Sequence, residues 1–328
     1  MDVMIIVPMT IAFEPAGSVA LSHWGAIRAL GPDAAHFLQS QLTNDVLSIT
    51  TSQLRLAGFC SAKGRLQASF LVWRAGPDEL LLACSASVLA ATLKRLSMFV
   101  MRARCKLSDA SAELRLTGFV GPGAAHLGAG TAPWSKLDTP CGAVLRLPDV
   151  GGAARCILAG SPLDAAGVPA LALDAWRLLE LRSGIPLIEA ATVDQFVPQM
   201  LNFELVGGVD FQKGCYPGQE IVARSQYRGT IKRRMFLFTC DALPEPGQEV
   251  FHSAAPQQPA GMVVNAAPGD GGTGGTGGPG GWALVEVKLA ALDAGSLHLG
   301  TAGGPVLHRH ELPYALPSDA QLQPGSDG

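Results

Sequence analysis

Charge is scarce in this sequence, and metal-site spacing is absent. Charged residues are 16% of 328 positions and hydrophobic ones 48%, which excludes a disordered chain and describes a globular one long enough for two or three cores. No Cys-x-x-Cys occurs and no His/Cys pair has zinc-finger spacing, so a self-contained zinc or iron–sulfur centre is not expected. The seven cysteines (Cys60, Cys84, Cys105, Cys141, Cys156, Cys215 and Cys240) are odd in number and scattered, unlike a disulfide framework. His308 and His310 have no third ligand beside them. The glycine-rich stretch 268–281 lacks a following Gly-Lys-Ser/Thr, so it reads as a hairpin loop rather than a phosphate cradle. Residues 1–13 are apolar but show no basic leader or cleavage site and are too short to cross a bilayer; a cytoplasmic protein with no membrane partner is expected.

What is present centres on Lys213-Gly214-Cys215-Tyr216-Pro217-Gly218-Gln219-Glu220. Pro217 suits a first helical position, with Gln219 to Arg224 continuing the helix, so Cys215 would stand just outside a positive helix end. Lys213, Arg224, Arg228, Lys232, Arg233 and Arg234 face only Glu220 in sequence, on a chain of net charge -3. Cations and a helix start favour a thiolate, and a basic patch favours anionic partners such as a folate glutamate tail, phosphate or RNA. The same segment is also a fair turn around a small buried cysteine, and the cations also fit a solvated face.

Along the chain, Val19 to Leu30 reads as a strand feeding a helix after Gly31-Pro32-Asp33. Leu54 to Cys60 and Leu66 to Trp73 pair across Ser61-Ala62-Lys63-Gly64-Arg65, and Leu80 to Cys84 adds a strand. Ser87 to Phe99 is an amphipathic helix, and Ala103 to Leu107 returns as a strand. Leu114 to Val120 leads into a short helix, Val144 to Leu147 and Arg155 to Ala159 form a hairpin, and Leu171 to Ser183 is a helix stopped by Gly184 and Pro186. Beyond Arg234 only short strands and turns follow, as in a small barrel or sandwich. The expectation is an α+β fold in which residues 1–234 hold two α+β units and residues 235–328 a C-terminal β-barrel.

The Lys213 to Glu220 segment resembles the signature of the YgfZ family, folate-binding proteins tied to iron–sulfur cluster maintenance and tRNA modification. Phe37-Leu38-Gln39-Ser40-Gln41-Leu42-Thr43-Asn44-Asp45-Val46, Cys60-Ser61-Ala62-Lys63-Gly64-Arg65, Gln195-Phe196-Val197-Pro198-Gln199, Tyr227-Arg228-Gly229, Lys232-Arg233-Arg234 and Leu312-Pro313-Tyr314 resemble the family in order. The resemblance implies an aminomethyltransferase-like, folate-binding fold around a central channel. It also implies a (tetrahydro)folate site at Trp24, Trp176, Lys63, Tyr216, Gln219 and Arg228, with Cys215 and Lys213 as the chemical pair. Flat indoles suit a pterin face, although tryptophan is more often core.

Two departures matter. Gly64-Arg65-Leu66-Gln67-Ala68 lacks the carboxylates that the aminomethyltransferase carries after its turn glycine, so glycine-cleavage transfer is not expected. Arg182 stands where relatives commonly have a pterin-gripping Glu; a guanidinium only donates, which leaves Glu180 or Glu189 to substitute. Three functions compete: a folate-linked assembly or repair factor that handles a transient iron–sulfur cluster for clients such as radical-SAM tRNA-modifying enzymes; a folate-dependent one-carbon transferase with tRNA or protein as acceptor; and a non-catalytic RNA-binding module.

Overall fold

The computed structural model describes residues 15–127, 131–161, 167–227, 231–269 and 279–317. The apolar start 1–13, Arg228-Gly229 and residues 270–278 of the glycine-rich stretch lie outside the described residues. In chain order the elements are β1 (Gly17–Ala20), β2 (Trp24–Leu30), α1 (Ala34–Gln39), β3 (Leu54–Cys60), β4 (Leu66–Gly76), β5 (Glu79–Ser85), α2 (Ala86–Ser97) and β6 (Lys106–Asp109). There follow β7 (Arg115–Val120), α3 (Pro122–His126), β8 (Lys136–Thr139), β9 (Gly142–Val150), β10 (Ala153–Gly160), α4 (Leu173–Arg182) and α5 (Gln219–Tyr227). The last stretch contains β11 (Arg233–Cys240), β12 (Glu249–His252), β13 (Ala255–Pro268), β14 (Gly281–Lys288), β15 (Leu297–Leu299) and β16 (Leu307–His310).

These strands make three antiparallel sheets, ordered β3-β4-β5-β2-β6, β1-β7-β10-β9-β8 and β15-β12-β13-β14-β11-β16. A bridge from His298 to Val306 brings the two edges of the last sheet together, curling it towards a barrel. Side-chain alternation decides how the sheets share a core. In β4, Phe70 and Val72 face α1 and α2, whereas Leu71 and Trp73 enter a second core. In β10, Ile157 and Ala159 enter that same second core, as do Met235 and Leu237 of β11. Phe236 and Phe238 fill the interior of the C-terminal sheet instead. All three sheets therefore turn one face to a common centre, where each fully buried large side chain stabilises by about 1.5–3 kcal/mol.

The structure alters two expectations of detail. Val19 to Leu30 is not one strand: β1 pairs with β7 and β2 with β5 and β6, so a turn at 21–23 passes the chain between sheets. Pro217 does not open the helix; Gly218 adopts φ +79° and α5 begins at Gln219, because Gly218 must make room for another turn.

Candidate functional site

That turn is Ser61 to Arg65. A Cβ on Gly218 would lie 2.3 Å from the Ser61 carbonyl oxygen and 2.6 Å from the backbone of Gly64. Gly64 is itself at φ +69°, its own Cβ position 2.8 Å from Ile221 of α5. Only glycine fits this approach without strain. The loop carrying Cys215 and the turn carrying Lys63 are thus locked backbone to backbone. The Leu66 amide donates to the Phe196 carbonyl, and Gln199 Nε2 donates to the Val222 carbonyl at 2.8 Å. Lys213 Nζ donates to the carbonyls of Gln39 and of Leu42, the latter at 2.7 Å. Segments widely separated in sequence meet around one loop.

On that loop Cys215 is exposed, while Cys60, Cys84, Cys156 and Cys240 are buried and Cys105 and Cys141 half-buried. Burial pushes the Cys60, Cys84 and Cys156 thiols up to about 12, so they stay protonated. Burial lowers Lys213 to about 8, against the opposing pull of Asp45, Asp210 and Cys215. Its ammonium also lies 4.9 Å from the centre of the Tyr216 ring, and burial raises the Tyr216 phenol. Lys213 and Tyr216 therefore seat the loop; Lys63 is exposed at the turn tip and Gln219 is half-buried at the helix start. Arg228 lies outside the described residues.

The basic cluster counted in the sequence is dispersed by folding. Arg233 pairs with Glu286 of β14. Arg234, 3% exposed, meets Glu204 at 2.5 Å and also donates to the Gln199 carbonyl. Arg224 and Lys232 stay exposed. Carboxylates distant in sequence answer two of the six cations, Arg233 and Arg234, and backbone carbonyls hold a third, Lys213.

Trp24 and Trp176 converge elsewhere, on Glu180. Both indole N–H groups donate to its Oε1 at 2.8 Å, and His23 Nε2 lies 2.9 Å from Oε2. Trp176 is wholly buried, its face so close under β7 that a Cβ on Gly118 would lie 2.7 Å from the ring. It therefore acts on the site through Glu180. Trp24 and Glu180 line a cavity of about 40 Å³ with Arg155, room for roughly three waters. Glu180, Ile185 and Leu187 also line an adjoining cleft of about 280 Å³, reached by Arg177, Glu189 and Asn265. Arg182 is buried and lies 5.5 Å from the Trp282 ring of β14. The cleft is lined by three carboxylates, Asp174, Glu180 and Glu189, so both residues that could take over from a Glu at position 182 do face it, and burial raises the pKa of Glu189.

Sequence reasoning missed two residues. Arg155, 2% exposed, is lowered to about 10 by burial, opposed by Glu180. Its Nη1 finds no partner among the described residues, although Nε donates to the Pro148 carbonyl. An orphaned buried donor beside an indole is a seat for a hydrogen-bond acceptor, and at about 40 Å³ this cavity admits the edge of a flat ligand such as a pterin rather than the whole ring system. A lone arginine in an apolar strand carries no sequence signal for this. Asp194 comes from a distant segment to accept from Ser61 Oγ at 2.7 Å, so the turn that lacks a carboxylate in sequence has one in space. Among the described residues, no group of three His, Cys, Asp or Glu side chains could hold a metal ion, and no helix is long and apolar enough to cross a membrane.

Residues 11–159 match the family described as "GCVT N-terminal domain". A tRNA-modifying protein YgfZ from Colwellia psychrerythraea is 33% identical over 66% of this chain and 70% of its own length. One from Edwardsiella ictaluri is 32% identical over 74% of this chain and 77% of its own. The glycine cleavage system aminomethyltransferase T of Bartonella henselae superposes over 94% of this chain and 88% of its own, with a TM-score of 0.71 and 17% identity. The fold is accordingly that of the aminomethyltransferase.

Proposed function

Because this chain belongs to the YgfZ family, we propose that it is a folate-binding accessory protein in which Cys215 handles iron or sulfur for cluster-dependent enzymes that modify tRNA. The observation that carries this is the setting of Cys215. It is the exposed thiol among seven, on a loop fixed by the Gly64–Gly218 contact and by Lys213. The names of the curated relatives and the aminomethyltransferase fold support the tRNA-linked and folate-linked parts.

Tetrahydrofolate, when bound, supplies a reduced pterin whose nitrogens carry one-carbon units. The Trp24 face would hold the flat ring, Glu180 would accept from it as well as fixing both indoles, and Arg155 Nη1 would donate to an acceptor on it. A cluster is cargo here: clusters usually take four protein ligands, so a client such as a radical-SAM enzyme must contribute the others. A cytoplasmic location is part of this reading. Replacing Cys215 by Ala should abolish support of cluster enzymes in a protein that still folds, and full support by that variant would overturn the assignment. Tetrahydrofolate binding, read by tryptophan quenching, should weaken in Arg155→Met.

A second reading, one-carbon transfer from folate to tRNA or protein, is favoured by Asp194 at the Ser61 turn, a carboxylate able to move a proton. Consumption of tetrahydrofolate on incubation with tRNA would select it over the first.

A further inference from the structure

The C-terminal end of α2 carries a surface that neither the Trp24 cluster nor the Cys215 loop uses. Between residues 80 and 108 the sequence has no Asp or Glu, yet Lys94, Arg95, Arg102, Arg104 and Lys106 fall within 13 positions. All five are exposed. Arg104 alone has an ion pair among the described residues, with Asp33 at 3.1 Å. Three apolar side chains stand out among these cations: Met98 at 71%, Phe99 at 44% and Met101 at 87% exposure. This is the concentration of unanswered positive charge that the signature segment lost on folding.

Beside it runs a groove of about 510 Å³ lined by Lys94, Arg95, Met98, Val193 and Gln67 among others. Gln67 lies two residues beyond Arg65, and Val193 precedes Asp194, which holds Ser61. The groove therefore leads from the α2 cations towards the turn that presents Lys63.

We propose that this surface binds RNA, with backbone phosphates on Lys94, Arg95, Arg102 and Lys106 and an unstacked base on the ring of Phe99. Phosphate chains are met by cations spread along a track, and loose bases by aromatic faces among them. A membrane anchor would need a larger apolar plug than three side chains, with the cations as a collar round it. An acidic protein would match the charge but would leave no reason for the track to continue towards Lys63. The proposal goes beyond the role given to Cys215 and survives that role's failure, since RNA binding by this surface does not require the thiol.

The test is fluorescence anisotropy of labelled, unfractionated tRNA with the full chain and with its Cys215→Ala variant, at 50–200 mM salt. Four phosphate contacts predict that log K falls against log salt with a slope of about -3. Arg95→Glu with Arg102→Glu should flatten that slope by about two and weaken binding at least tenfold at low salt. Phe99→Ala should weaken binding about tenfold and leave the slope unchanged. These side chains are exposed, so unchanged melting curves accompany the expected result. Binding by the double variant equal to that of the parent overturns the proposal. So does binding of phosphatidylglycerol vesicles, but not tRNA, through the same residues.

Discussion

Glu180 offers the sharpest test of how the centre is held together. Its Oε1 accepts from Trp24 and Trp176, and Oε2 sits 2.9 Å from His23. In Glu180→Ala the Trp176 indole, wholly buried, and the half-buried Trp24 indole both lose their acceptor. Each stranded buried donor costs about 1–3 kcal/mol, so a loss of about 2–6 kcal/mol is expected. Arg155 also loses the carboxylate that opposes its desolvation. Glu180→Gln keeps an oxygen for the two indoles and gives up only the charge assistance, a loss of about 1–2 kcal/mol. Urea unfolding followed by tryptophan fluorescence measures both, as midpoint shifts at constant slope. If Glu180→Ala costs under about 1 kcal/mol, or if Gln is no better than Ala, the shared carboxylate does not organise the site.

Gly218→Ala places a Cβ 2.3 Å from the Ser61 carbonyl at φ +79°; it should destabilise by at least about 1–3 kcal/mol and release the Cys215 loop, seen as increased proteolysis between 211 and 219. Titration of the native protein with a thiol reagent should show one fast equivalent, which Cys215→Ser removes; a fast phase left in that variant would mean that another cysteine opens readily. Lys213, lowered to about 8 when folded against an ordinary 10.5, binds fewer protons than in the unfolded chain between those values. Stability should therefore gain a rising contribution from pH 8 to 10.5, absent from Lys213→Met when the two pH profiles are subtracted. Arg234→Met leaves Glu204 buried without its partner and should cost about 3–5 kcal/mol in urea unfolding, whereas Arg224→Met, on an exposed residue, should cost little.

The fold class was legible because alternation and turn chemistry are local. The paired strands around Ser61 to Arg65, the hairpin at 149–152 and the helix that Gly184 stops all formed where those patterns lie. The division of Val19 to Leu30 between two sheets was not legible, since a strand's propensity does not say which sheet it joins. Trp176 and Glu180 sit four apart on α4, a spacing that puts them on one helix face and was open to notice. Nothing local announced that Trp24 and His23 would complete the cluster.

By itself the sequence determined the layered α+β class and the family, because glycines, prolines and side-chain periods act within a few residues. Tertiary structure decided which charges remain free. It spent Arg233, Arg234 and Lys213 on Glu286, Glu204 and backbone carbonyls and left the cations of the α2 end almost unanswered. It also brought Asp194 to the Ser61 turn and Arg155 to Trp24. The reason is physical: a charge census along the chain adds up neighbours in sequence, whereas ion pairing and desolvation depend on distances set by how the three sheets meet.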